Sequence, residues 1–139
     1  MQSTIRLILT NPYAYTRGLE RALQEAHTAH RALYAVFVID PQTLETLVND
    51  LSAMGWLGAS SRQHIAHALH EGYRLLAQDT LQTVQAHAQT HGIPVETEVV
   101  EAPISEYLAR LPTHEPVLVS ATSKPTQALT PNITWIQEA

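Results

Sequence analysis

Short apolar runs alternate along the chain with longer segments in which apolar residues recur at helical spacing. The run at residues 33–39, LYAVFVI, is rich in β-branched and aromatic residues and is too short for a helix. Because successive positions are apolar, it is typical of a parallel strand that is covered on both faces. Residues 95–100 instead alternate as VETEVV, which predicts a half-exposed strand at a sheet edge. The predicted strands are residues 5–9, 33–39, 95–100, 117–119 and 133–136.

Four helices are predicted between these strands. The first begins at Thr16, whose hydroxyl we expect to cap its amino end. The second begins at Asp40-Pro41, since aspartate accepts hydrogen bonds from first-turn amides and proline at the first helical position sacrifices none. The third and fourth helices end at the stop signals Gly92 and Pro112. The predicted helices are residues 16–29, 41–54, 61–91 and 104–111.

Strands that are separated by helical segments predict a parallel sheet wrapped by helices. The order β-α-β-α-α-β-α-β-β therefore predicts a single domain over residues 1–139. We expect a three-layer α/β/α fold around a five-stranded, mainly parallel sheet. No internal repeat, low-complexity segment or interdomain linker interrupts this pattern.

Composition and charge narrow the classes of function. The chain of 139 residues is long enough to bury one core, and it contains no cysteine, so disulfides and thiolate chemistry are excluded. Eight basic against thirteen acidic residues give a net charge of −5, and the basic residues are scattered, so we expect no nucleic-acid partner. No apolar run approaches the length of a signal peptide core or a membrane span. We therefore expect a cytoplasmic protein without a membrane partner.

The string VFVIDP at the end of the second strand, together with the order of elements, resembles the universal stress protein family. That resemblance implies a Rossmann-like fold of the adenine nucleotide alpha hydrolase type. Pro12 matches the proline of the family's Pro-x-Asp-x-Ser turn, and the match at residues 19–23, LERAL, fixes the register. The Asp that contacts the nucleotide then falls on Ala14 and the Ser falls on Thr16. Val38 matches the position whose backbone lies against adenine.

The phosphate-binding end of the family's site is altered in this sequence. Ser120 and Ser123 stand where the resemblance places the two glycines of a Gly-x-x-Gly loop, and no glycine follows them. Those glycines let the backbone approach phosphate oxygens without a Cβ in the way. Pro125 and Pro131 leave room for at most one short turn where the family has a full helix. We therefore expect no bound cofactor, and a remnant pocket formed by Pro12, Tyr13, Thr16, Val38, Ser120 and Ser123.

Other candidate sites have simpler interpretations. His64, His67 and His70 are spaced by three, but on a helical wheel they lie opposite the apolar stripe, so we predict a solvated face and no metal site. Ser120 is near His114 and Glu115 in sequence, yet no strained nucleophile turn presents its hydroxyl, so we predict no catalytic residue. Trp56 lies between two glycines, and its role stays open between a lid over the sheet and a contact with a partner.

These observations favour a non-catalytic regulatory or stress-response module that acts by binding an unidentified protein or small effector. In the resembling family the last strand pairs with its twin, so we expect a homodimer through the strand that carries Ile133 and Trp135. The alternative for Trp135 is that it completes the core of its own subunit. The alternative function is binding of ATP or AMP through backbone contacts around Pro12, Tyr13 and Val38. A small hydrolase is a third hypothesis that no residue demands.

Overall fold

The computed structural model describes residues 4–53, 59–125 and 127–139. Its strands are β1 (Thr4–Leu9), β2 (Ala32–Ile39), β3 (Val95–Glu101), β4 (Val117–Ala121) and β5 (Ile133–Gln137). Its helices are α1 (Thr16–Ala29), α2 (Pro41–Ala53), α3 (Ala59–Thr90) and α4 (Ile104–Ala109). The predicted order of elements is confirmed, and the predicted bounds are displaced by at most a few residues.

In the described part of the chain the five strands form one sheet in the order β3-β2-β1-β4-β5. Every neighbouring pair is parallel, so the sheet is entirely and not only mainly parallel. The edge strands are β3 and β5. The alternation of residues 95–100 therefore predicted the position of β3 correctly.

The larger part of the core lies between the sheet and helices α1 and α3. Leu7, Leu9 and Phe37 point to this face of the sheet and are fully buried. Phe37 meets Tyr73 of α3 edge to face, with ring centroids 6.2 Å apart. Leu44 anchors α2 to the same cluster. Apolar side chains on successive positions of β2 reach both faces, which explains why its sequence is a continuous apolar run.

The opposite face of the sheet has a thinner cover. Tyr107 and Leu108 of the short helix α4 pack there on Val36, Val117 and Val119 of the strands. In the described residues between β4 and β5, which omit only position 126, there is no helix. Helices nevertheless lie on both faces, so the predicted three-layer architecture is confirmed.

The predicted helix ends were correct at two positions and wrong at one. The Asp40 carboxylate accepts from the Gln42 amide at 2.9 Å, and Gly92 ends α3 with a φ of 69°. Thr16 does not cap α1. It is the first helical residue, the capping position is held by Tyr15, and no side chain of the capping residue bonds to the helix. A carboxylate from a distant part of the chain satisfies those amides instead, as described below.

Candidate functional site

A cavity of about 240 Å³ opens at the carboxyl ends of β1, β2 and β4. Strand order runs one way from β1 to β2 and the other way from β1 to β4, which makes this edge the topological switch point of the sheet. Open parallel sheets bind ligands at such points. The strand ends are joined in the lining by the starts of α2 and α4 and by Tyr73 and Trp135. We call this space the switch-point cavity.

Asp40 holds one wall of the switch-point cavity in place. Its Oδ1 accepts from the Gln42 amide at 2.9 Å, and its Oδ2 accepts from the Ile104 amide at 3.3 Å. One carboxylate therefore serves the first turns of both α2 and α4. The Asp40-Pro41 pair in the sequence predicted the first of these contacts. No local pattern could predict the second, because the two partners are 64 positions apart.

The strand ends beneath the cavity are tied together by hydrogen bonds. Thr10 Oγ1 donates to the Ser120 carbonyl at 2.8 Å, and the Tyr73 hydroxyl donates to the Thr10 carbonyl at 3.3 Å. Burial raises the pKa of Tyr73, with a smaller contribution from the charge of Tyr13. The Tyr73 hydroxyl therefore stays protonated and can donate throughout the neutral pH range.

Trp135 fastens the segment that follows β4. Its indole Nε1 donates to the Ser123 carbonyl at 2.8 Å, and its ring packs against the apolar cluster beneath α4. This contact fixes the backbone at the position where the resembling family has its phosphate loop. The group that Trp135 holds in this segment is a backbone carbonyl oxygen, which, unlike an amide, cannot donate a hydrogen bond to a phosphate. Trp135 thus has a structural role within its own subunit.

The six residues of the predicted remnant pocket do not all meet. Val38 and Ser123 both line the switch-point cavity. Tyr13 is 79% exposed, and its amide donates to Asn11 Oδ1 at 2.8 Å in a local turn. Pro12 lies in the same turn outside the lining. Thr16 instead lines a larger groove of about 490 Å³ between α1 and α3.

Ser120 also lies outside the cavity, because its side chain points to the opposite face of the sheet. It is fully buried, and its hydroxyl donates to the Glu138 carboxylate at 2.9 Å. Sequence reasoning missed Glu138. The sequence feature that points to this contact is Gly18 in the first turn of α1, because an added Cβ there would lie 2.6 Å from Ser120 Cβ. A glycine at that position indicates that the helix end approaches β4 closely.

The side chains considered for serine chemistry are engaged elsewhere. Glu115 accepts from Arg6 at 3.3 Å and from Thr4 at 3.4 Å, beyond the amino end of β4. Ser120 lies at the carboxyl end of the same strand and bonds to Glu138. His114 is exposed. The structure does not bring these three residues together.

Six of the eight histidines fall into two separate groups. His64 and His67 are exposed, while His70 Nε2 lies 3.0 Å from a Glu101 oxygen that is also 3.5 Å from Arg74. A second group, His27, His87 and His91, lines the groove between α1 and α3. Across residues 4–53, 59–125 and 127–139, no three His, Asp or Glu side chains are arranged to hold a metal ion. Trp56 lies outside the described residues.

The fold is similar to that of a solved structure described as a protein from the universal stress protein family from Burkholderia pseudomallei. The two chains align with a TM-score of 0.58 and 20% sequence identity, over 84% of this chain and 80% of that chain. No protein-family model matches the chain, and no curated protein matches it at a significant level. Among the described residues, no helix is both long and apolar enough to cross a membrane. The similarity confirms the predicted α/β fold, which in the described residues is built around an all-parallel five-stranded sheet.

Proposed function

We propose that the chain is a divergent, non-catalytic member of the universal stress protein family that regulates a cytoplasmic stress response. It acts as a homodimer that binds a protein or a small effector, and it does not bind ATP in the low micromolar range. The observation that carries this proposal is the switch-point cavity. It lies at the edge of the sheet where a nucleotide would bind, but it is small and no described helix follows β4 beside it.

The size of the cavity argues against a nucleoside triphosphate. Cavities that hold ligands of drug size span about 300–1,000 Å³, whereas the switch-point cavity measures about 240 Å³. A phosphate group also needs free backbone amides, usually at the start of a helix. The described residues after β4 form no helix, and the Ser123 carbonyl is bonded to Trp135. This end of the site therefore offers little to an anion.

Calorimetric titration with Mg-ATP tests this part of the proposal. We expect no binding in the low micromolar range, because the cavity is small and, among the described residues, no helix begins after β4 to present its amides to a phosphate. Trp135→Phe keeps an aromatic ring but removes the donor to Ser123, so it reports whether that contact alone closes the site. A one-to-one isotherm with the unaltered protein at low micromolar concentration would contradict the proposal.

A second candidate is an adenine nucleotide site that relies on backbone contacts. It is favoured by Val38, which lines the switch-point cavity at the position that the resemblance assigns to adenine. AMP carries one phosphate and fits a small cavity better than ATP. Saturable AMP binding without ATP binding would favour this candidate over an effector of another class.

The homodimer proposal rests on β5, which is an edge strand paired with β4 alone in the described sheet. Such an edge presents unpaired amides and carbonyls to any other strand. Ile133 and Trp135 are half-buried on it. Pairing of β5 with its copy across a two-fold axis would cover these groups in both subunits.

A further inference from the structure

The carboxylate of Glu138 lies buried at the amino end of α1. Glu138 is only 6% exposed, its Oε1 accepts from the Arg17 amide at 2.9 Å, and its Oε2 accepts from the Gly18 amide at 2.8 Å. The first amides of a helix have no partner within the helix, and the helix dipole favours a negative charge beside them. The carboxylate thus replaces the missing side-chain cap of α1.

A third hydrogen-bond donor also binds the Glu138 carboxylate. The hydroxyl of Ser120, a fully buried residue, donates to Glu138 Oε2 at 2.9 Å and has no other partner among the described residues. Gly18 makes the meeting of helix, strand and carboxylate possible, since a Cβ there would lie 2.6 Å from Ser120 Cβ and 3.4 Å from Glu138 Oε2. Two amides and a buried hydroxyl therefore converge on one carboxylate.

Among the described residues, no cationic side chain forms an ion pair with Glu138. The Arg17 guanidinium donates to the Gln137 carbonyl at 3.2 Å. A buried charge without such hydrogen bonds is strongly unfavourable. The three donors are consequently what keeps the Glu138 carboxylate inside the protein, and removal of that carboxylate would leave all three without a partner.

We propose that this position is a carboxylate-binding site that the chain fills with its own side chain. Glu138 acts as an internal ligand that locks the end of β5 onto α1 and β4, assisted by its own amide, which donates to the Ala121 carbonyl at 2.8 Å. When the side chain is removed, the site accepts a small external monocarboxylate. This inference is independent of the proposed function, because it concerns the other face of the sheet.

Thermal unfolding of Glu138→Ala in sodium acetate and in sodium chloride of equal ionic strength tests the proposal. We expect the variant to melt roughly 5–10 °C below the unaltered protein in chloride, since charge-assisted hydrogen bonds are lost. Acetate should raise its melting temperature in a saturable manner, because it supplies the missing carboxylate. Glu106→Ala removes an exposed glutamate that pairs with Arg110 and is the matched control. An acetate effect that is absent, or equal in all three proteins, would overturn the proposal.

A second variant keeps the test decisive if Glu138→Ala does not fold. Glu138→Gln fills the same space but has no charge and only one acceptor oxygen. We expect the Arg17 and Gly18 amides to exchange with deuterium about tenfold faster than in the unaltered protein. Amides in the centre of β1 and β2 should exchange at an unchanged rate. Unchanged exchange at Arg17 and Gly18 would show that the carboxylate does not hold the helix end.

Discussion

Single side chains explain where the apolar pattern of the sequence is broken. Arg6 interrupts the first strand because its guanidinium lies under α4, where it donates to the Tyr107 hydroxyl at 2.7 Å and to Glu115 at 3.3 Å. It also stacks over the Tyr34 ring, 4.7 Å from the centroid. Tyr34 in turn donates its hydroxyl to the Glu98 carboxylate. A polar network thus covers the sheet beside Tyr107 of α4.

This network predicts that the titration of Tyr34 makes the unfolding free energy depend on pH. The hydrogen bond to Glu98, together with burial and the charge of Glu98, raises the pKa of Tyr34 to about 12 from the ordinary value of 10.0. A raised pKa in the folded state means that Tyr34 contributes stability below pH 10 and loses it as the pH rises toward about 12. In Tyr34→Phe the unfolding free energy should therefore fall less steeply over this window.

Urea unfolding at a series of pH values between neutrality and the alkaline limit of folding measures that slope. Tyr13→Phe, which removes the hydroxyl of a largely exposed side chain, is the control. Equal slopes for Tyr34→Phe and the unaltered protein would show that the contact with Glu98 has no influence on alkaline stability.

At the scale of elements, local patterns predicted the strands and helices but not the contacts that join them. The apolar run of β2 reflects a strand that is covered on both faces, and the alternation of β3 reflects an edge strand that is partly exposed. Both patterns were recognised in the sequence. The second bond of Asp40 and the capping of α1 by Glu138 join residues that are far apart in sequence. Val38 and Ser123 both line the switch-point cavity, because the carboxyl ends of parallel strands in one sheet lie at the same edge. Ser120 was displaced from the cavity because strand side chains alternate between faces.

Asp40 provides the test of such a joining contact. Asp40→Ala should lower the unfolding free energy by about 1–3 kcal/mol, because α2 loses its cap and the Ile104 amide loses its acceptor. Urea unfolding monitored by circular dichroism measures this change. Glu45→Ala, an exposed position on α2, should stay within about 0.5 kcal/mol of the unaltered protein. A loss at Asp40 no larger than this control would contradict the role of the carboxylate.

For the whole molecule, the open edge at β5 predicts assembly. The Glu138 amide donates to Ala121 of β4, so the alternation of strand backbone turns the Gln137 amide toward the open edge. Gln137→Pro therefore removes an edge donor and leaves the ladder with β4 intact. We expect the unaltered protein and Gln137→Ala to be dimers at micromolar concentration and Gln137→Pro to be a folded monomer.

Size-exclusion chromatography with light scattering, and circular dichroism on the same fractions, separates these species. This design avoids substitution of Trp135, which would also disturb the bond to Ser123 within one subunit. A monomeric mass for the unaltered protein at high concentration would contradict the dimer, and a dimeric mass for folded Gln137→Pro would assign the interface to another surface.

We propose that the chain, whose fold is similar to that of a universal stress protein, does not bind ATP in its switch-point cavity. The most direct measurement is the nucleotide content of the protein as purified, obtained from its absorbance ratio and from a mass spectrum of the supernatant after denaturation. We expect an absorbance spectrum set by the aromatic residues of the protein alone, and no adenine nucleotide in the supernatant. ATP released in a stoichiometric amount would contradict it.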